Sequence, residues 1–282
     1  MPLGYTQLFS TTGGLVLRAD ATAYINAIVA AGAILTNTQK LAINTRFADI
    51  NGVTNLSYAT SNYASKLGAM YLFLGGNGAT NAVNALNPGT FNLTYGSPAP
   101  THSSNGIYFN GTNNYANTNF NPYDQAVDNI GLSVYIREDL TNTTSQGQII
   151  GAYSTGCVWM QIRQDSSGGC YFYANSNFSA GLKNVASTKG FISFNRINTT
   201  QNKAYKNGSL IGSAFTDTFN ARTNTTIMLG GWNNAGTFSS CGTNTACTFS
   251  YMDIIISPLS DTDHLNNYNS IQALQTAFSR NV

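Results

Sequence analysis

Hydrophobic positions along the chain change period twice. Before about residue 75 they recur at helical spacing. In ATAYINAIVAA, Tyr24, Ile25, Ile28 and Val29 fall on one side, and Asp20 stands where an N-cap belongs. In LAINTRFADI, Ile43, Phe47 and Ile50 repeat at i, i+4 and i+7, behind a Thr36/Gln39 capping-box pair and ahead of Asn51-Gly52. SNYASKLGAMYLFL sets Tyr63, Leu67, Met70 and Leu74 on a third stripe. Three short amphipathic helices hold too little core to stand alone. Tyr24, Ile28, Ile43, Phe47, Tyr63, Leu67 and Met70 therefore form a candidate assembly face, turned to the rest of the chain or to another subunit.

From residue 76 the period shortens. GIYFN, YANTNF, IGLSVYIRE, GQIIGAYS, VWMQIRQ, GCYFYAN, FISFNRI, KAYKN, LIGSAF, TIMLGGW and CTFSYMDIIIS read as strands separated by Gly, Asn, Ser and Thr turns. Tyr135, Ile149, Trp159, Ile162, Tyr171, Tyr173 and Ile192 supply their bulk. Asn207-Gly208 between KAYK and SLIGS is a two-residue hairpin signal. Such spacing predicts an all-β sandwich with apolar inward positions and Thr, Ser or Asn outward. In FSYMDIIISPLSDTDHLNNYNSIQAL the period returns to helical. Pro258 ends the strand, Ser260 and Asp263 cap a helix, and Leu265, Tyr268, Ile271, Leu274 and Phe278 form its expected stripe. Asp261 reads as a helix-end charge. The division expected is a helical region over 1–75 and a sandwich with its closing helix over 76–282, joined at a flexible Gly75–Gly78 turn.

Composition narrows the function classes. Charged residues are only 9% of the chain, and 13 Lys plus Arg are spread without a basic run, which argues against nucleic-acid binding. No apolar run is long enough to span a bilayer, and the opening MPLGYTQLFSTTGG lacks the charge and apolar core of a signal peptide. Without a secretory route, the Asn-x-Ser/Thr triplets at Asn55, Asn92, Asn110 and Asn207 read as products of composition. Cys157, Cys170, Cys241 and Cys247 include no CxxC and lie far from His102 and His264, so a zinc site is not expected. They read as reduced thiols, with a Cys241–Cys247 clip as the alternative.

Three segments carry a resemblance. SYMDIIISPLSDTD, AYKNGSLIGS and GIYFNGTNNYANT resemble, in order, the closing strand and helix, mid-domain hairpin and first strand of concanavalin A-like sandwiches of the laminin-G and pentraxin-like type. TQKLAINTRFADINGV, YLFLGGNGATNAVNALNP, the THSSNGIYFNGTNNYANT run and SIQALQTAFSRNV are similar to virion proteins of tailed phages, particularly those of Bacteroidetes-type hosts. The resemblance implies a mainly β chain: a jelly-roll sandwich behind a short helical N-terminal region. It also implies a structural virion role such as head fibre, decoration or tail-associated protein. The expected partners are other virion proteins and further copies of the chain, a trimer suiting a fibre. The expected location is the virion, assembled in the host bacterial cytoplasm. No catalytic residue and no cofactor comes with it.

Candidate chemistry is sparse. A polysaccharide hydrolase is the weakest alternative: the single glutamate, Glu138, adjoins Asp139 at a strand end, and adjacent strand residues point to opposite faces, which does not suit a glycosidase pair. His102 and His264 follow no nucleophile elbow and read as surface histidines. GGNG at 75–78 lacks the Lys and Ser/Thr of a phosphate loop. Asp124, Asp128 and Asp165 are possible calcium ligands without ligand spacing. A lectin-like face is the alternative function. Trp232 with Asn233 and Asn234, assisted by Tyr205, offers an aromatic platform beside amides for a host-surface glycan; the plainer reading makes Trp232 a plug at one end of the sandwich.

Overall fold

The structure is a computed structural model that describes residues 15–53, 57–59, 62–140, 147–162, 169–176, 181–240 and 246–282. In chain order its elements are α1 (Ala19–Ala30), α2 (Asn37–Ile50), β1 (Leu67–Tyr71), α3 (Gly78–Asn81), β2 (Thr94–Tyr95), β3 (Thr101–Ser103), β4 (Gly106–Phe109) and β5 (Ala116–Asn117). There follow β6 (Gly131–Ile136), β7 (Gln148–Tyr153), β8 (Cys157–Ile162), β9 (Gly169–Ser176), β10 (Gly181–Asn184), β11 (Gly190–Asn198) and β12 (Gln201–Lys206). The chain ends with β13 (Ser209–Leu210), β14 (Phe215–Thr216), β15 (Met228–Leu229), β16 (Gly231–Asn234), β17 (Thr237–Ser240), β18 (Cys247–Ile255) and α4 (Asp261–Ala277).

The strands form two sheets. The first runs β13-β12-β11-β6-β18-β4-β3, with β1 added on β18 and β14 on β12; the second runs β10-β9-β8-β7-β15-β5-β2, with β16 between β7 and β17. All pairings are antiparallel except β16 with β7. Side chains that alternate inward fill the space between the sheets: Leu132, Val134 and Ile136 of β6, Ile192 and Phe194 of β11, Met160 and Ile162 of β8, Phe172 of β9, and Met252 and Ile254 of β18. The expected architecture, a mainly β antiparallel sandwich behind N-terminal helices and closed by a C-terminal helix, is the observed one. The Asn207-Gly208 turn joins β12 to β13 with φ of +48° and +76°, as a type I′ hairpin requires.

Three expectations need correction. The third helical stripe is β1: Leu67 and Met70 face the helices, while Ala69 and Tyr71 face the sandwich core, so both faces are apolar. The strand pairs with β18 from Leu67↔Ile255 to Tyr71↔Met252, which carries the sandwich back across the expected boundary at residue 75. Gly75–Gly78 is not a loose joint either. Asn77 caps α3 through Thr80, and Gly75, at φ +96°, packs where a Cβ would meet Thr80 and Ala33 at 2.8–2.9 Å. Finally, the buried side of α4 is His264, Asn267, Ser270, Ile271, Leu274 and Gln275, while Leu265 is 44% exposed.

The helices α1, α2 and α4 lie on the outer face of the first sheet, making a third layer. Tyr24, Ile28, Ile43, Phe47, Tyr63, Leu67 and Met70 are all buried there with Tyr135, Phe191, Tyr251 and Ile255 of the sheet. The apolar face assigned to assembly is therefore consumed within the chain. Tyr135 points to this layer, not to the sandwich interior. Polar groups are sealed in with it. Arg46 donates to Tyr251 Oη at 2.8 Å and Asn267 Oδ1 at 2.6 Å, and Tyr251 and Tyr63 donate to Asp253 at 2.7 and 3.2 Å. Ser270 donates to Asp49 at 2.6 Å. Burial pushes the carboxyls of Asp49 and Asp253 up, against the opposing hydrogen bonds and the Arg46 charge.

Candidate functional site

The outer face of the second sheet is built differently. Alternation along β8 and β9 sends Val158, Met160, Phe172 and Ala174 inward and Trp159, Tyr171 and Tyr173 outward. Register then sets Gly151, Trp159 and Tyr173 side by side across β7, β8 and β9. The parallel pairing of β16 with β7 opposes Asn233 to Ala152, so Trp232 lies beside Gly151. Gly151 is what lets the row close. A Cβ there would sit 2.3 Å from that of Trp159. Over this gap Trp232 reaches Trp159, with ring centroids 5.1 Å apart at 74°. Trp159 meets Tyr173 on its other side at 5.0 Å and 75°. Tyr153, at the end of β7, lies 6.0 Å from Trp232 and 6.3 Å from Trp159.

The contacts of Trp159 with Trp232 and Tyr173 are edge-to-face, the arrangement aromatic quadrupoles favour, while Tyr153 meets both tryptophans at a tilt. They also sort the rings by role. Trp159 is 4% exposed and Tyr173 7%, so they form a foundation, while Trp232, Tyr153 and Tyr171 are half-exposed at the surface. Among the described residues the cluster draws on β7, β8, β9 and β16, without a helical contribution. Asn234 follows Trp232 on the same face, opposite Tyr153 in register, and is exposed. A fixed aromatic surface with an amide at its edge can stack on the apolar side of a sugar ring and bond its hydroxyls.

Two of the four expected glycan-binding residues are elsewhere. Asn233 is buried and structural: it donates to Thr226 O at 2.9 Å and Oγ1 at 3.1 Å and accepts from the Gly236 amide at 2.8 Å, fixing the β16–β17 turn. Tyr205 belongs to β12 of the first sheet. It is buried under α4, stacked on His264 at 3.7 Å and bonded to Asp261 at 2.8 Å. Trp159, Tyr153, Tyr171 and Tyr173 join the site instead.

The remaining candidates have structural roles. His264 is not on the surface. It is fully buried, its Nδ1 2.9 Å from Ser193 Oγ and its Nε2 2.7 Å from Asn195 Oδ1. Burial pushes its pKa down to about 3. This Ser-His-Asn arrangement offers no approach to a substrate. His102 is half-buried against Tyr95, with ring centroids 4.8 Å apart. Glu138 accepts from the amide and hydroxyl of Thr248, both at 2.6 Å, and Asp139 accepts from the Thr188 amide at 2.9 Å. Asp261 fulfils its helix-end reading and also accepts from Lys203 at 2.7 Å. Asp128 pairs with Arg222 at 2.7 Å and Asp124 accepts from Asn121 at 2.9 Å, while Asp165 lies outside the described residues. Among the described residues no group of three His, Cys, Asp or Glu is placed to hold a metal. Cys157, Cys170 and Cys247 are buried; the suggested clip involves Cys241, outside the described residues. No described helix is long and apolar enough to cross a membrane.

No protein-family model and no curated protein matches the chain. Solved structures do match in fold. The receptor binding domain of botulinum neurotoxin C/D mosaic serotype is 14% identical over 73% of this chain and 51% of that one, with a TM-score of 0.53. The binding domain of botulinum neurotoxin serotype D is 15% identical over 73% and 52%, at 0.53. A mutant Trypanosoma rangeli sialidase displaying trans-sialidase activity is 14% identical over 83% and 39%, at 0.55. The chain thus spans about half of the toxin domains or less than half of the sialidase. At these identities the likeness is one of fold: a β-sandwich.

Proposed function

We propose that the chain is a carbohydrate-recognition module that binds glycans on the outer face of its second sheet without catalysing a reaction. One observation carries the reading. Both tryptophans of the chain stack edge-to-face on the sheet face that the helices leave open, with Trp232 and Tyr153 at the surface. Rigid stacking rings held before binding lose little entropy when a ligand arrives. The receptor binding domains among the fold neighbours accord with a recognition role. A glycan array probed with the full chain tests it. Binding to a defined group of glycans, lost in Trp232→Ala, is expected; silence across the array, or binding unaffected by Trp232→Ala, sinks the proposal.

The setting we propose is the particle of a tailed phage, as head fibre, decoration or tail-associated component. The sequence resemblance supplies that reading. The helical layer supports it in one respect: its inner face is spent, but Ile34 is 95% exposed and Val29 45%, at and just beyond the end of α1. An apolar pair so exposed suits an assembly contact, with other virion proteins or with further copies in a homo-oligomer. Mass spectrometry of purified particles decides it: the chain is expected among the virion proteins, and its absence refutes this setting.

A further inference from the structure

Beside the aromatic face, three loops converge on one end of the sandwich. Tyr123 is 55% exposed at the tip of the first, 121–128. Its amide donates to Thr223 O at 3.1 Å, which binds it to the loop before β15. That loop in turn meets the 154–156 turn: the Asn224 amide donates to Ser154 Oγ at 2.7 Å, and Thr155 Oγ1 donates to Arg222 O at 3.2 Å. Ser154 follows Tyr153 directly. A continuous surface therefore runs from Trp232 and Tyr153 through Ser154 and Asn224 to Tyr123.

This end is held firm from below. Buried Asn175 donates to Val127 O at 2.8 Å and Asp128 O at 3.1 Å, and accepts from the Thr223 amide at 3.1 Å, so one side chain ties two of the loops. Asn121 bonds across to Asn224 at 3.2 Å. An exposed aromatic on a loop fixed in this way is set for contact at low entropic cost. The charges are balanced against anions. Arg222 is paired with Asp128 at 2.7 Å, and Asp124 stands on the Tyr123 loop bonded to Asn121, so these loops carry one cation, already paired, and two carboxylates. A carboxylated sugar here would find its cation already taken and a second carboxylate on the same loops.

We infer that Tyr123 is a second stacking subsite, and that the ligand is an uncharged oligosaccharide long enough to reach from Trp232 to Tyr123. This rests on the carbohydrate-recognition reading and adds to it the class and length of the ligand. Among the described residues the surface between the two rings offers amide and hydroxyl groups (Asn224, Ser154 and Asn234).

Calorimetry on the full chain tests it, using neutral oligosaccharides from disaccharide to hexasaccharide and sialylated or uronate-bearing counterparts of equal length. Affinity is expected to rise with length and to fall about tenfold in Tyr123→Ala for the long ligands alone, Tyr123→Phe keeping wild-type affinity. Acidic counterparts are expected to bind at least about tenfold more weakly. If Trp232→Ala abolishes binding while Tyr123→Ala changes nothing at any length, or if acidic ligands bind as well, the inference is overturned and carbohydrate recognition stands. If no glycan binds, both fall.

Discussion

The two outer faces of the sandwich are made of similar strands and meet opposite fates. On the first sheet, outward Ser133, Tyr135, Ser193, Asn195, Tyr251 and Asp253 are covered by α1, α2 and α4 and buried. On the second, outward Trp159, Tyr173 and Trp232 stack on each other, with no helix in their cluster. The first face sets buried polar groups among apolar ones such as Phe191 and Ile255 and is sealed; the second is aromatic and partly open. A sealed polar face must satisfy its groups internally, so it becomes a network in which loss of one member strands the others. An open aromatic face is stable by stacking and remains available to a ligand. The difference separates stability from recognition.

The largest effect should follow from breaking the sealed face. Arg46→Ala leaves Asp253 and its hydroxyl partners without their cation and is expected to cost about 3–5 kcal/mol in denaturant unfolding. Gly151→Ala attacks the open face from beneath. Its Cβ would collide with Trp159, so a loss of about 1–3 kcal/mol and an altered near-ultraviolet circular dichroism spectrum are expected. Trp232→Ala removes a half-exposed ring and should cost only about 1–2 kcal/mol while abolishing glycan binding. A stability loss equal to that of Arg46→Ala would erase the division between the faces.

Acid sharpens the same contrast. Folded His264 has its pKa pushed down to about 3 from 6.5, so between these values the unfolded chain takes up a proton that the folded chain refuses. Stability is lost as pH falls through that window, by up to about 1.4 kcal/mol per pH unit. Asp261 and Asp263, which favour its charged form, and Lys203 and Lys66, which oppose it, surround the ring. Asp49 and Asp253, whose pKa values are raised, push the other way, so the comparison needed is wild type against His264→Gln. The variant should show the shallower loss between pH 6.5 and 4 in unfolding titrations; equal slopes would remove His264 from the account.

Much of the sandwich could be read from alternation alone, because each strand from β6 to β9 has one face in the same core. Where both faces are buried, the pattern misleads. LGAMYLFL is apolar throughout, and its spacing fits a helix as well as a strand. Hydropathy found Ile271 and Leu274 on the packed side of α4 but misplaced Leu265 and missed the polar half of that side, where His264 and Gln275 meet the first sheet, Asn267 meets α2 and the sheet, and Ser270 meets Asp49 of α2. Of the site, Trp232 and Asn234 were legible as an exposed aromatic beside an amide. Trp159, Tyr171 and Tyr173 were visible only as strand bulk. Alternation within VWMQI and CYFYAN puts them on one side of their strands, but register and the Gly151 gap, which bring them to Trp232, arise from long-range pairing.

Trp159 and Trp232 are the chain's two tryptophans, and both lie on the open face, so intrinsic fluorescence reports on that face alone. Titration of the full chain with a neutral oligosaccharide found on the array should shift the emission to the blue, with the midpoint given by calorimetry. Calorimetric binding that leaves the emission unchanged would place the ligand elsewhere and contradict the account.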